Sequence, residues 1–220
     1  MAVAAPRISL AGSGALLLDA AQGAFSDAVQ HRVWAVANAA LGLEAVREAV
    51  PGMNNLLVLF DPLAATAADI GARLGSLWAK ADAAEVAGRR HTIPVAYGGA
   101  DGEDLAAWAA HCGMTAEEAV RRHTDATYTV AAVGAMPGFP YLSGLDPRLA
   151  WARRGTPRFK VAEGAVIIGG AQAGIMPITA PSGWHIIGHT DVKLFDPGSE
   201  TPVLLRPGDT IRFDIASLQA

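Results

Sequence analysis

Apolar residues follow two different patterns along this chain. In the first hundred positions, Val29, Val33, Val36, Ala37 and Ala40 recur at intervals of three or four. That spacing puts them on one face of a helix predicted over 27–41. Ser26 stands just before it, with a hydroxyl suited to cap a first-turn amide. Ile70, Leu74, Leu77 and Trp78 mark a second helix, from about Ala64 to Ala81. The intervening apolar runs are short and bounded by turn residues, as strands are. They are Ile8 to Leu10, Ala15 to Leu18, Val46 to Val50, Leu56 to Phe60 and His91 to Tyr97. Ala11-Gly12-Ser13-Gly14 joins the first two, and Pro51-Gly52-Met53-Asn54 joins the third and fourth. The resulting βαββαβ order predicts two helices on one antiparallel sheet, the ferredoxin-like motif, over residues 1–98.

Gly98-Gly99-Ala100-Asp101-Gly102 reads as a flexible crossing into a second domain, 99–220. Two short helices open it. Leu105, Trp108, Ala109 and Cys112 share a face, with Gly113 as a stop, and Thr115-Ala116-Glu117-Glu118 is a capping box for a helix to about His123. Strands are then predicted at Tyr128 to Val133, Val166 to Ile168, Trp184 to Ile187, Val192 to Phe195, Val203 to Leu205 and Ile211 to Ile215. Nine of the 13 prolines lie at or beyond 137, so the chain must turn often here. Many short strands between such turns predict a barrel or a sandwich.

Composition narrows the function classes. Hydrophobic residues make up 51% and charged residues 17%, which excludes a disordered chain. The net charge of −4 and the lack of a basic stripe argue against nucleic acid. Arg89-Arg90, Arg121-Arg122 and Arg153-Arg154 read as solvated pairs. One cysteine, Cys112, cannot form an internal disulfide and suits a reducing compartment. With no signal-peptide pattern and no apolar run of membrane-spanning length, the expectation is a cytoplasmic protein without a membrane partner.

Familiar catalytic cassettes are missing. The sequence has no Gly-x-x-x-x-Gly-Lys-Ser/Thr loop, no Gly-x-Gly-x-x-Gly and no Gly-x-Ser-x-Gly elbow. Ser182, between Pro181 and Gly183, reads as a turn residue. His185 and His189 sit four apart in a strand, too far apart at about 13 Å for one metal, but on one face by simple alternation. They form either a polar strand face or a pocket wall. His123 ends a capped helix, where a positive imidazole favours the dipole, with a pocket role as the alternative. Gln172 lies between Gly170 and Gly174, where it either braces a tight loop or recognises an amide or carboxylate. Phe139 and Tyr141 flank Pro140 as core plugs or as an apolar pocket wall. Asp209, after Pro207-Gly208, reads as a turn former, and His31, His91 and His111 as structural.

Several segments, in order, carry a family resemblance. They are Val50-Pro51-Gly52-Met53-Asn54-Asn55, Ile93-Pro94-Val95-Ala96-Tyr97-Gly98-Gly99 with Asp104-Leu105, and Pro137-Gly138-Phe139-Pro140-Tyr141-Leu142. Leu145-Asp146-Pro147, Thr156-Pro157-Arg158, Ala171-Gln172, Gly183-Trp184 and Ile187-Gly188-His189-Thr190 follow. Leu194-Phe195-Asp196-Pro197 and Leu204-Leu205-Arg206-Pro207-Gly208-Asp209 complete the set. On these the chain resembles the family of 5-oxoprolinase B subunits (PxpB), also called the allophanate hydrolase subunit 1 or KipI family. The chain departs from the family pattern at Ala135, Met136, Ala162, Ala173, Met176 and Ser182. At Ala173 and Met176 the loop of Gln172 loses the hydroxyls of a threonine and a tyrosine.

The resemblance implies a ferredoxin-like domain followed by a cyclophilin-like β-barrel. It implies one component of an ATP-dependent amidohydrolase that opens 5-oxo-L-proline to L-glutamate, with ATP and Mg bound by the assembled complex. Its partners would be the 5-oxoprolinase C subunit, itself cyclophilin-like, and the A subunit. Gln172, His123, His189, Phe139 and Tyr141 are the expected substrate-binding residues, with no metal ligands in this chain. Two alternatives stay open: the carboxyltransferase component of a biotin-dependent urea or amide carboxylase, and a binding protein that inhibits a sensor histidine kinase.

Overall fold

The computed structural model describes residues 5–81 and 88–219. The chain divides into two compact units, Met1–Ala87 and Gly88–Ala220. Together they give a mixed α+β fold containing a closed seven-stranded barrel.

The first unit runs β1 (Arg7–Leu10), β2 (Ala15–Asp19), α1 (Asp27–Ala40), β3 (Val46–Pro51), β4 (Asn55–Phe60) and α2 (Ala67–Lys80). Its sheet has the order β1-β2-β4-β3, antiparallel throughout. Strand alternation sends Leu16, Leu18, Leu56, Val58 and Phe60 to one face, where they bury against Val33, Val36, Ala37 and Ala40 of α1 and Ile70, Leu74 and Trp78 of α2. Ser26 caps α1 by accepting from Val29 N at 3.3 Å. Thr66 caps α2 through Asp69 N at 3.2 Å, which starts that helix at Ala67 rather than Ala64. At the turn before β4, Asn54 has a positive φ of 55°. It is held there by Gln30, whose Oε1 accepts from Asn54 N at 2.7 Å.

The strand predicted to close this sheet, His91 to Tyr97, is absent from it. The place beside β2 is taken by β1, delivered by a four-residue turn. In the second unit the chain forms β5 (Arg90–Gly98), α3 (Leu105–His111), α4 (Ala116–Asp125), β6 (Tyr128–Val133), β7 (Pro140–Ser143), β8 (Arg158–Val161) and β9 (Ala165–Gly169). Then come β10 (Gln172–Ile175), β11 (Ala180–Ser182), β12 (His185–His189) and β13 (Thr210–Gln219). The barrel order is β10-β7-β6-β13-β5-β12-β9. The long strand β13 runs parallel to β5, from Thr210 opposite Arg90 to Gln219 opposite Gly98. The boundary between units therefore falls before β5, not after it.

Ile93, Val95 and Tyr97 of β5 point into the barrel with Val130, Leu142, Val166, Ile168, Ile187 and Phe213. The segment 98–102 is closely packed rather than a free crossing. A Cβ on Gly102 would fall 2.5 Å from Ile187 O and 2.7 Å from Gly98 Cα. The strands predicted at Val192 to Phe195 and Val203 to Leu205 reduce to one bridge, Phe195 with Val203.

Strand β9 is buried on both faces. Val166 and Ile168 join the barrel interior, whereas Ala165 and Ile167 join a second apolar layer with Phe139, Val161, Met176, Trp184 and Ile186. A two-stranded sheet of β8 and β11, outside the barrel's hydrogen bonding, contributes Val161 and Ala180 to this second layer. Such continuous apolar runs are what a doubly covered strand requires.

Candidate functional site

The second apolar layer ends in a cavity of about 190 Å³, lined by Phe139, Tyr141, Trp184, Met176, Arg153 and Ser182, with Ala135 and Met136 at its side. Its shape begins with the backbone after β6. Ala135 has φ 64° and Gly138 φ 79°, so the chain folds sharply and delivers Phe139 onto the outer layer. A left-handed alanine costs of order 1–3 kcal/mol and persists only where surrounding contacts hold it.

Three aromatic rings then form a box. Phe139 meets Tyr141 edge to face at 5.0 Å and Trp184 at 5.6 Å, and Tyr141 lies 6.3 Å from Trp184. Two glycines permit this. A Cβ on Gly169 would fall 2.6 Å from both Cγ and Cε2 of Trp184, and one on Gly174 would lie 3.0 Å from Phe139 Cζ. The bare backbone of β9 and β10 is therefore the floor on which the rings lie.

Two polar groups face this apolar box. The Arg153 guanidinium carbon lies 5.2 Å from the Trp184 ring centroid. It has no carboxylate partner among the described residues. Ser182 Oγ accepts from Trp184 N at 3.2 Å, which leaves its own proton to donate. The site is thus an aromatic cup with one cation and one hydroxyl, suited to a small acid with an apolar body.

A buried ion pair anchors the β8–β11 sheet beside the cup. Asp104, 7% exposed, accepts from Arg158 Nη1 and Nη2, both at 2.9 Å, and from Ile186 N at 2.7 Å. Arg154 approaches the same carboxylate at 3.5 Å. Burial pushes the Asp104 carboxyl upward, but the Arg158 hydrogen bonds, the Ile186 amide and the charges of Arg158 and His185 outweigh it and hold the group below its ordinary value. Arg158 lies opposite Ser182 in the β8–β11 pairing, so this anchor positions a residue of the cavity.

The expected site residues do not all come together. Phe139 and Tyr141 line the cavity, while Gln172, His123 and His189 do not. Gln172 opens β10 opposite Gly169 and is half-buried. His189 is tied by Nε2 to Glu163 O at 3.0 Å. His123 is fully buried in the barrel core, stacked on Phe213 at 4.5 Å and bonded through Nδ1 to the Tyr97 hydroxyl at 2.8 Å. Burial lowers its pKa to about 3, so it is neutral, not the positive helix end expected.

His185 and His189 do not share a face either. Strand β12 bulges between Ile186 and Gly188, so His185 pairs with Ile168 on the inner side and His189 with Ala165 on the outer. His185 instead stacks on Trp151 at 3.6 Å. Asp209 does more than form a turn. Its buried carboxylate accepts from Arg89 N at 2.8 Å, Arg206 N at 3.0 Å and His91 Nε2 at 3.2 Å. Arg153 and Trp184 gain no role from the sequence alone, nor do Asp104 and Arg158. Trp184, Asp104 and Arg158 stand in resembling segments, which is the available signal, but Arg153 reads there as a solvated charge.

A family model described as the carboxyltransferase domain, subdomain C and D, matches residues 6–205. The chain belongs to this family. It is 45% identical over 186 residues to the 5-oxoprolinase B subunit of Escherichia coli O157:H7, covering 84% of this chain and 85% of that one. The protein of the same name from Haemophilus influenzae is 40% identical over 196 residues, with 86% and 89% covered. Among solved structures, TTHA0988 superposes with a TM-score of 0.81 at 35% identity over 92% of this chain, which spans 40% of the TTHA0988 chain. The Kluyveromyces lactis urea amidolyase superposes at 0.80 over 97% of this chain and 15% of its own, and at 18% identity that is a likeness of fold.

In this carboxyltransferase-family chain the aromatic cup does not fit ATP with its metal. It offers one guanidinium to a triphosphate, and no group of three or more His, Cys, Asp or Glu suited to a metal occurs among the described residues. No helix among them is long and apolar enough to cross a membrane.

Proposed function

We propose that the chain is the B subunit of a 5-oxoprolinase, which opens 5-oxo-L-proline to L-glutamate with ATP in the cytoplasm together with the A and C subunits. Two curated relatives bearing that name, matched over most of both chains, support the family side of this reading. The cavity supports the chemical side. Its decisive feature is Arg153, a cation without a carboxylate partner among the described residues, at the rim of an aromatic cup.

A five-membered lactam acid has methylene groups, a carboxylate and a lactam oxygen. Phe139, Tyr141 and Trp184 enclose the methylenes, Arg153 takes the carboxylate, and the Ser182 hydroxyl donates to the lactam oxygen. Gln172, His123 and His189 stand apart from this arrangement. Among the described residues no carboxylate, histidine or thiol lines the cup, so this chain holds the lactam while a partner chain supplies the group that activates water. The nucleotide and Mg bind outside this cup.

In this reading the second unit is the cyclophilin-like barrel. The first is a ferredoxin-like sandwich whose last strand position is filled from the N-terminal side by β1. A carboxyltransferase role draws only on the fold likeness to urea amidolyase, and no observation favours kinase inhibition.

The test is ATP-dependent glutamate release from 5-oxoproline by this chain alone, by the partner subunits alone and by all together. Turnover only in the complete mixture is expected. Turnover by the purified chain alone, or undiminished turnover without it, refutes the proposal.

A further inference from the structure

A second cavity, of about 360 Å³, lies among β5, β13 and the residue before β6, and its lining differs in kind from the aromatic cup. It is formed by Arg90, Arg212, His91, Thr92, Thr127 and Thr210, with Ile211. Parallel pairing sets Arg90 opposite Thr210 and Thr92 opposite Arg212. Alternation keeps these four on one face, so two arginines occupy one diagonal and two threonines the other. With strands about 4.8 Å apart and residues i and i+2 about 6.6 Å apart, the arginine Cα atoms are about 8 Å apart. Both guanidinium groups can therefore reach one bound anion.

Neither of these two charges is ion-paired among the described residues, and neither the Arg90 nor the Arg212 side chain has a hydrogen-bond partner among them. Asp209, the nearest buried carboxylate, is fully engaged by Arg89, Arg206 and His91. Asp214, next on the same face of β13, accepts from its neighbour Ile215 N at 2.9 Å; it keeps its negative charge but forms no ion pair with Arg212. What remains is two guanidinium groups and three threonine hydroxyls around an open volume. That donor set exceeds what a planar carboxylate can accept and suits a tetrahedral oxyanion.

We propose that this cavity is a binding site for a phosphate-class oxyanion, either free phosphate or the terminal phosphate of a nucleotide. Arg90 and Arg212 provide the charge, and Thr92, Thr127 and Thr210 fix the orientation. The inference does not rest on the role of the aromatic cup.

The experiment is a titration of the full ¹⁵N-labelled chain with inorganic phosphate and, separately, with ADP, followed by amide shifts at 90–92, 127 and 210–212. Saturable shifts confined to these amides are expected with phosphate or ADP, with Kd of about 1 mM or tighter. Equal affinity for the two assigns the site to free phosphate, and much tighter ADP binding assigns it to a nucleotide. Arg90→Gln and Arg212→Gln should each weaken binding about tenfold. Lys160→Gln, an exposed cation elsewhere in the second unit, should leave it unchanged. No saturable shift from either probe, or wild-type binding by both arginine variants, overturns the proposal.

Discussion

Replacing Asp104 with asparagine tests whether the cup depends on a buried anchor. The substitution keeps the shape but removes the charge that receives Arg158 twice and the Ile186 amide once. Losing one partner of a buried ion pair costs about 3–5 kcal/mol. Arg158 is 19% exposed and can turn to Glu103, which it already meets at 2.9 Å, so part of its charge recovers solvent or a substitute. The asparagine carbonyl can still accept from Ile186 N in place of Oδ2, but its amide group then replaces Oδ1 and faces Arg158 Nη2, donor against donor, and a buried donor left without its acceptor costs about 1–3 kcal/mol. The expected loss is therefore at the lower end, about 3 kcal/mol.

Urea unfolding followed by tryptophan fluorescence measures it. Trp108, Trp151 and Trp184 report on the second unit, and Trp34 and Trp78 on the first. Only the second unit's transition should move. The pH dependence has a definite sign. The folded carboxyl sits below its ordinary value of 3.8, so its contribution is fully present above that pH. It is lost as pH falls through the lower folded value, and the gap between wild type and variant should close there. A change under about 0.5 kcal/mol, the range of ordinary surface substitutions, would show that Asp104 is not the anchor.

Three further outcomes follow from the same contacts. Arg153→Ala should raise the KM of the assembled enzyme for 5-oxoproline about tenfold without moving the unfolding midpoint, because this exposed side chain has no ion pair among the described residues to lose; an unchanged KM removes it from the site. Gly169→Ala should cost about 1–3 kcal/mol and shift the Trp184 emission maximum, since the added methyl enters the indole ring; an unaltered spectrum and midpoint would mean the ring is not seated on β9. His123 is held neutral down to about pH 3, whereas its unfolded form takes up a proton near 6.5. Its contribution is intact above 6.5 and drains away by about 1.4 kcal/mol per pH unit as pH falls toward 3. His123→Phe should flatten that slope in urea titrations between those limits, and an equally steep slope would assign the acid sensitivity to other groups.

What can be read from the chain divides by the range of the interaction. The caps at Ser26 and Thr115 and the turn at Asn54 are decided within a few residues, and the structure has them where the local sequence puts them. The Pro-Gly-Phe segment likewise announces a sharp turn that presents Phe139 and Tyr141. The burial of His123 also has a local signal. It falls four residues after Ala119 and three after Val120, on the buried face of α4, so helical periodicity outweighs its place at the helix end. Arg153 carries no such signal, because whether an arginine pair is solvated depends on what folds back beneath it, here Trp184 from 31 positions further on.

Strand partners are the least legible feature, for a physical reason. The alternation of Ile93, Val95 and Tyr97 says that β5 buries one face, but a period of two is the same whichever sheet receives it. Two segments could satisfy the open place beside β2. The nearer, β1, closes it through a four-residue turn and a small loop entropy, which frees β5 to pair with β13 about 120 residues away. The same limit governs the histidines of β12. Simple alternation puts His185 and His189 on one face, yet one extra residue at the bulge inverts every position beyond it. That inversion sends His189 to the outer side, while His185, before the bulge, stacks on Trp151, so no shared histidine wall forms. The cations that face cavities in this unit are instead arginines, at the rim of the aromatic cup and between β5 and β13.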